Sequence, residues 1–328
     1  MYNTEIFKDK NILITGGAGF IGSHLSKKLI SLGANLTVID DFSRGTKDNL
    51  KEVFSKIKIV KADLRDEKKS QKYFKNQHIV FNLAALNTGV DYDLGRTEVM
   101  FEDNMLLQMM PLRMAKASNV KKFIQISSAS VYSKEAMDNQ VPTPETADIS
   151  CPEPSKLGYA LAKKMGENLA YWYSQNTCLE TVCVRFINVY GENDNYDEKG
   201  HFIPVMIRKF IEADEQVNVF GSGNQMRSFM HVSDAVEALL IVAEKGISGE
   251  VYNVDSNNEK SIKDVVNLIE QSFKNKKLRI IFDKTKPEGS NRRILDSSKL
   301  KKLGWKPQVK FEEGLSLTIN DIVSKFSK

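Results

Sequence analysis

Two short patterns in the chain carry side chains able to do chemistry. Tyr159 precedes Lys163 by four positions, and positions i and i+4 of a helix share one face. An ammonium lodged beside a phenol favours the phenolate, whose ordinary pKa is about 10, and turns it into a base for a hydroxyl proton. Ser127, Ser128 and Ser130 follow the strand-like run KKFIQI, where a serine hydroxyl can hold the oxygen that loses that proton. The second pattern is NILITGGAGFIGSHL, in which Gly17, Gly19 and Gly22 complete GxGxxG and Gly16 adds a fourth glycine. Between a strand and a helix, such glycines permit a tight turn and the close approach of a pyrophosphate. The charge of that group then faces the positive helix N-terminus.

These residues need elements to hold them. From Asn11 onward, NILIT, NLTVID, KIVKAD, HIVFNLA, KKFIQIS and ETVCVRF alternate with amphipathic helical stretches. The runs are apolar almost throughout, as strands covered on both faces should be. The predicted fold is α/β, a Rossmann-type doubly wound parallel sheet with a smaller α/β lobe. Past Arg185 the rhythm breaks into a loop-rich region, 188–226, before the helix HVSDAVEALLIVAEKG and the strand EVYNVD. The expected division is a dinucleotide domain over 1–187, to which 230–257 returns, and a substrate lobe from 188–229 and 258–328. The strand after the glycine loop ends in Asp40 and Asp41, about 20 residues on, where a carboxylate can bond ribose hydroxyls and would repel a 2′-phosphate. NAD is therefore the expected cofactor, although Arg44 stands close enough in sequence to neutralise such a phosphate. Asp63, ending the next strand, is a candidate for the adenine.

Composition excludes other classes. A chain of 328 residues with 41% apolar content can build one large core or a large domain with a dependent smaller one. The formal charge of +5 is spread through alternating Lys and Asp/Glu, which implies no nucleic acid but suits a small anionic substrate. Cys151, Cys178 and Cys183 are odd in number and lack metal-ligand spacing, as do His24, His78 and His231, so reduced thiols and no metal are expected. No signal-peptide pattern precedes the first strand, and no apolar run approaches the roughly 20 residues that span a bilayer. A cytoplasmic protein with no membrane partner is expected.

In this order along the chain, TGGAGFIG, VIDD, NLAA at Asn82–Ala85, SSASVY, YxxxK and RFINVYG resemble the extended short-chain dehydrogenase/reductases. That family includes nucleotide-sugar epimerases, dehydratases and 4-keto reductases, and the resemblance runs nearly end to end. It implies a nucleotide-diphosphate sugar as substrate and NAD as cofactor. The cofactor would be held by Gly16, Gly19, Phe20, Ile21, Gly22, Asp40, Asp41, Asp63, Leu64, Leu83, Ala84, Ala85, Asn104, Tyr159, Lys163 and Phe186. Ser128 matches the catalytic hydroxyl, Asn188 the neighbourhood of the diphosphate, and the loop NTGVDY, with Asn87 and Thr88, the sugar side. The stretches NVYGENDNYDEKGHFIPVMIRKF, VFGSGNQMRSFMHVSD and KPEGSNRRILD look most like GDP-fucose synthases and GDP-mannose 3,5-epimerases, and on that mapping Arg227 and Arg292 bind the diphosphate. The family also pairs the two helices near 98–118 and 156–175 with their copies, implying a homodimer joined by a four-helix bundle.

Within the family, dehydratases and decarboxylases carry acidic residues just after the catalytic Ser/Thr, where this chain has Ala129 and Ser130. GDP-fucose synthases place a cysteine where Ser130 stands and a histidine where His201 stands, so Ser130 and His201 join the catalytic candidates. A serine is a poor base near pH 7, whereas His201 can serve one stereocentre. The expected activity is an NAD-dependent epimerase that oxidises C4 transiently and inverts C4, or C3/C5 beside the ketone, on a GDP- or UDP-sugar for surface polysaccharide synthesis. Net reduction of a 4-keto-6-deoxy sugar with NAD(P)H is the alternative, followed by 4,6-dehydration. A dinucleotide-sensing scaffold is a further reading, which the presence of both Tyr159 and Lys163 opposes.

Overall fold

A computed structural model describes residues 3–87, 95–150, 152, 156–286 and 290–326. Thr88 with the rest of the loop to Tyr92, and Cys151, lie outside the described residues. Seven strands form one parallel sheet: β1 (Asn11–Thr15), β2 (Asn35–Asp40), β3 (Lys58–Lys61), β4 (Ile79–Asn82), β5 (Lys122–Ser128), β6 (Glu180–Phe186) and β10 (Val251–Val254). Their spatial order is β10-β6-β5-β4-β1-β2-β3. The chain leaves β1 in one direction through β2 and β3, then crosses back through β4, β5 and β6. That reversal opens a crevice beyond the carboxyl ends of β1 and β4, where ligands of such sheets bind.

Period-two alternation divides the strand residues between two cores. Ile12, Ile14, Phe81, Ile124 and Ile126 face one side, while Leu13, Val80 and Phe123 face the other. The first side is covered by the helices Phe20–Ser31 and Val232–Lys245, which supply Leu25, Leu29, Leu239 and Val242. The helix Thr97–Ala117 covers the second with Met110, Leu112 and Met114, and the helix Leu157–Asn176 packs along it. These two helices approach closely because Gly158 lies against the Thr97 backbone, where a Cβ would stand 2.1 Å from the carbonyl oxygen.

The region 188–226, expected to be loop-rich, has the long loops 191–201 and 221–225 but also regular elements. It holds β7 (Asn188–Tyr190), the helix Phe202–Glu212 and β8 (Gln216–Phe220). Phe202, Ile203, Met206, Ile207 and Phe210 make a helical stripe, of which all but the partly buried Phe202 are buried. Pro204 sits in the first turn, where a missing N–H breaks no helical bond. β7 pairs with β9 (Met226–His231), which also carries β11 (Glu259–Ser261) and β13 (Arg292–Arg293), while β8 pairs with β12 (Arg279–Asp283). Helices Ile262–Ser272 and Phe311–Phe326 complete this smaller core. The stretch 258–328 is not confined to that lobe: Leu295, Leu300 and Trp305 belong to the large core. Trp305 Nε1 donates to the Asp234 carbonyl at 3.1 Å, and the Asp234 carboxylate accepts from the backbone amides of Gln308 and Val309. Among the described residues, no helix is long and apolar enough to cross a membrane.

Candidate active site

The crevice is a cavity of 740 Å³ running from the glycine loop, past the ends of β2, β4 and β5, to β7 and β9. At its floor Gly16 has φ +65°, and a Cβ there would meet the Ala84 backbone at 2.9 Å. At Gly22 a Cβ would lie 2.4 Å from the Gly16 carbonyl oxygen and 2.6 Å from Gly17 Cα. The loop is therefore a backbone cradle that side chains would fill. No side chain caps the Phe20–Ser31 helix, whose N-terminus it presents, a fit for a dinucleotide pyrophosphate. Gly22→Ala is expected to push Gly16 out of this turn, costing about 1–3 kcal/mol of stability and at least tenfold in NAD affinity, read by nucleotide retention and titration.

Asp40 and Asp41 both line the cavity. Asp40 Oδ2 accepts from Ala18 N at 2.9 Å and Oδ1 from Phe42 N at 2.9 Å, so this carboxylate also fastens the glycine loop to β2. Burial raises its pKa, against those amide bonds. Asp41 accepts from the amide and hydroxyl of Ser43. Arg44 reaches across the cleft, 3.4 Å from Asp197 and 3.3 Å from the Lys199 carbonyl. Asp63 is bonded to Arg65, which holds its carboxyl below the usual range; with Leu64, Leu83, Ala84, Ala85 and Phe186 it lines the cavity, as do Phe20 and Ile21. Asn104 does not. Its amide is turned onto the backbone, accepting from Leu86 N and donating to the carbonyls of Leu86 and Met100 at 2.8–2.9 Å, so it braces the segment that carries Asn87.

Ser128, Ser130, Tyr159 and Lys163 share the cavity wall. Ser128 accepts from Ser130 N at 3.1 Å and its hydroxyl lies 3.2 Å from that of Ser130. Lys163 is buried, donates to the Ile126 carbonyl at 2.6 Å, and lies 5.6 Å from the centre of the Tyr159 ring. Burial pushes its ammonium down to about 7, and the Glu167 carboxylate one turn on works the other way. Behind this face lies a network that sequence reasoning missed. Glu167 accepts from the Ser127 hydroxyl and, at 2.8 and 2.6 Å, from two nitrogens of Arg185. Arg185 also donates to the Tyr132 hydroxyl at 2.8 Å, and Tyr132 donates to Asn253 at 2.8 Å. The signal was available: Tyr159, Lys163 and Glu167 repeat every four residues on one helical face.

At the far end, Asn188, Arg227 and His201 line the cavity. Asn188 donates to the Ser228 carbonyl at 2.9 Å. Arg292 stands outside, exposed and clamped to Glu259 at 2.5 and 2.8 Å. Of the two adjacent arginines it is Arg293 that lines the cavity. β13 pairs with β9 so that Arg293 lies beside Arg227 and Arg292 beside Met226, and successive residues of a strand face opposite ways. His201 Nδ1 is 3.0 Å from both oxygens of Asp194, and its Nε2 is 3.1 Å from Asn87 Nδ2. Asn87 Oδ1 in turn accepts from Lys156 at 3.1 Å. Neither Asp194 nor Lys156 was singled out in the sequence.

Residues 12–255 match the model of the NAD dependent epimerase/dehydratase family. A UDP-N-acetyl-alpha-D-glucosaminuronate decarboxylase of Bacillus cytotoxicus is 34% identical, with 94% of this chain and 97% of that protein covered. A putative GDP-L-fucose synthase of Arabidopsis thaliana is 30% identical over 95% of this chain and 91% of its own length. Among solved structures, the UDP-glucose 4-epimerase of Thermotoga maritima, determined with UDP-glucose, superposes with a TM-score of 0.86 at 29% identity, covering 96% of this chain and 99% of its own.

Proposed function

The chain belongs to the NAD-dependent epimerase/dehydratase family, and from that premise we propose that it is a nucleotide-sugar epimerase acting through a transient 4-keto sugar. Its substrate is a GDP- or UDP-sugar of surface polysaccharide synthesis. The observation that carries this reading is the cavity wall itself: Ser128, Tyr159 and Lys163 stand together, while the two positions after Ser128 are Ala129 and Ser130. By the resemblance, dehydratases and decarboxylases of the family carry an acidic residue at these positions, and neither position supplies one here.

Residues of the glycine loop, Asp40, Asp41 and Lys163 would hold NAD, which when bound supplies an acceptor and donor for the C4 hydride. Tyr159 takes the proton of the C4 hydroxyl, its phenolate stabilised by the neighbouring ammonium of Lys163. The Ser128 hydroxyl donates to the same oxygen as it becomes a ketone. From there either the sugar turns over and C4 is reduced on its other face, or the ketone acidifies the neighbouring C–H, His201 removes that proton, a solvent-derived proton returns to the opposite face of the same carbon, and C4 takes its hydride back. Arg227 and Arg293 offer guanidinium forks for the diphosphate. A second reading, net reduction of a 4-keto-6-deoxy sugar, is favoured by His201 and by the similarity to a GDP-L-fucose synthase.

The chain is proposed to work as a homodimer through the helices 97–117 and 157–176. Their outer faces expose Val99, Tyr171 and Trp172, and pairing with a second copy would bury these side chains.

The test is incubation with GDP- and UDP-sugars in deuterated water without added reductant. Conversion to a stereoisomer is expected, and deuterium at C3 or C5 separates enolisation from C4 inversion. Turnover only after NAD(P)H and a 4-keto sugar are supplied would replace the epimerase reading with the reductase.

A further inference from the structure

Four side chains from three separate segments form one hydrogen-bonded row at the sugar end of the cavity: Lys156, Asn87, His201 and Asp194. Its two ends are chemically unlike. A lysine ammonium can only donate hydrogen bonds, and an ionised carboxylate can only accept them. Because Lys156 donates to Asn87, the amide oxygen must face Lys156, which leaves the Asn87 NH₂ facing His201. An NH₂ can only donate, so Nε2 of His201 must accept and carries no proton. Nδ1 then holds the imidazole proton and donates it to Asp194. The Asp194 side chain is almost wholly buried, and its Oδ1 also accepts from Asn195 N at 2.8 Å. That fixes the carboxylate and, through it, the ring. Every bond in the row runs in one direction.

We infer that Lys156, Asn87 and Asp194 form a polarised relay that sets the tautomer of the His201 ring, with the proton on Nδ1 and the Nε2 lone pair at the sugar pocket. Asp194 is a positioning residue, and Asn87 is a cap that a bound sugar displaces. The cap has a chemical consequence. In this arrangement the Nε2 lone pair is occupied by the Asn87 amide. A sugar hydroxyl or an acidified C–H that takes the place of Asn87 meets a base already in the required tautomer. The part played by the sugar rests on the epimerase reading above; the tautomer does not.

The test reads the tautomer directly. The chain has four histidines, so histidine-labelled full-length protein, purified with whatever nucleotide it retains, gives few nitrogen resonances, and His201→Gln assigns the one concerned. At about pH 8.5, above the ordinary imidazole range, His201 is expected to show a protonated Nδ1 and a bare Nε2. Asn87→Asp replaces the donor by an acceptor and is expected to put a proton on Nε2 at the same pH. Asp194→Asn leaves the Asn87 donor in place and still offers Nδ1 a carbonyl acceptor, so Nε2 is expected to stay bare. A protonated Nε2 in the neutral wild-type ring, or an Nε2 still bare in Asn87→Asp, would overturn the relay; should a variant fail to fold, the wild-type spectrum decides alone. With a turned-over sugar, Asn87→Asp is also expected to lower deuterium incorporation at C3 or C5 by about 10²-fold. Absence of deuterium from the wild-type product would count against enolisation by His201 while leaving the tautomer result intact.

Discussion

Replacing Tyr159 by Phe is expected to lower kcat by about 10²–10⁴-fold, the usual contribution of a positioned acid–base group, while fold and nucleotide content stay as they are. The side chain is 7% exposed and its ring packs beside Lys163 and Lys156. Phenylalanine keeps that ring and removes only the hydroxyl, so the loss reports proton transfer rather than packing. Lys163 and its bond to the Ile126 carbonyl remain. The measurements are steady-state turnover of the converting sugar, the melting curve and the nucleotide released on denaturation. A Phe variant with near-normal kcat would remove Tyr159 from the reaction; lost nucleotide would instead assign it to cofactor binding.

The largest stability effect is expected at Arg185. Arg185 and Glu167 are 3% and 6% exposed and joined by two short bonds. Burial works against the arginine charge, and the Glu167 carboxylate more than restores it. Arg185→Met leaves that carboxylate buried with its countercharge gone, a loss of about 3–5 kcal/mol. Converting Glu167 as well, to Leu, removes the stranded charge, so the double variant should recover most of the loss in urea denaturation. Activity should not recover with it. Glu167 ties the Ser127 hydroxyl, one residue before Ser128, to the helix bearing Tyr159 and Lys163, and its charge helps keep the Lys163 ammonium. A double variant as unstable as Arg185→Met would show that the packing of the network, rather than its charge balance, is what matters.

Much of this architecture was legible from neighbours along the chain. The apolar runs of β1, β2, β4, β5 and β6, the glycine turn before the Phe20–Ser31 helix, and the four-residue spacing of Tyr159 and Lys163 are short-range patterns. Each is dictated by the period of a strand, the φ a turn demands, or the pitch of a helix. The helix Phe202–Glu212 belongs with them: its apolar stripe was present in the sequence, though obscured by the polar, glycine-containing stretch before it.

What the tertiary structure alone decided concerns residues whose role depends on a distant partner. Nothing local distinguishes Arg292 from Arg293; the pairing of β13 with β9 turns one to the cavity and the other to Glu259. The resemblance implied Asn104 at the cofactor, whereas the 97–117 helix sets its amide against Leu86. Leu295, Leu300 and Trp305 joined the large core because the chain returns to it after β13. The row from Lys156 to Asp194 joins segments as far as 114 positions apart. The sequence by itself determined the elements and the chemistry each one carries, because backbone geometry responds to residues within a few positions. Strand register and the meeting of segments at the crevice were decided by long-range packing, in which a shift of one residue turns a side chain to the opposite face.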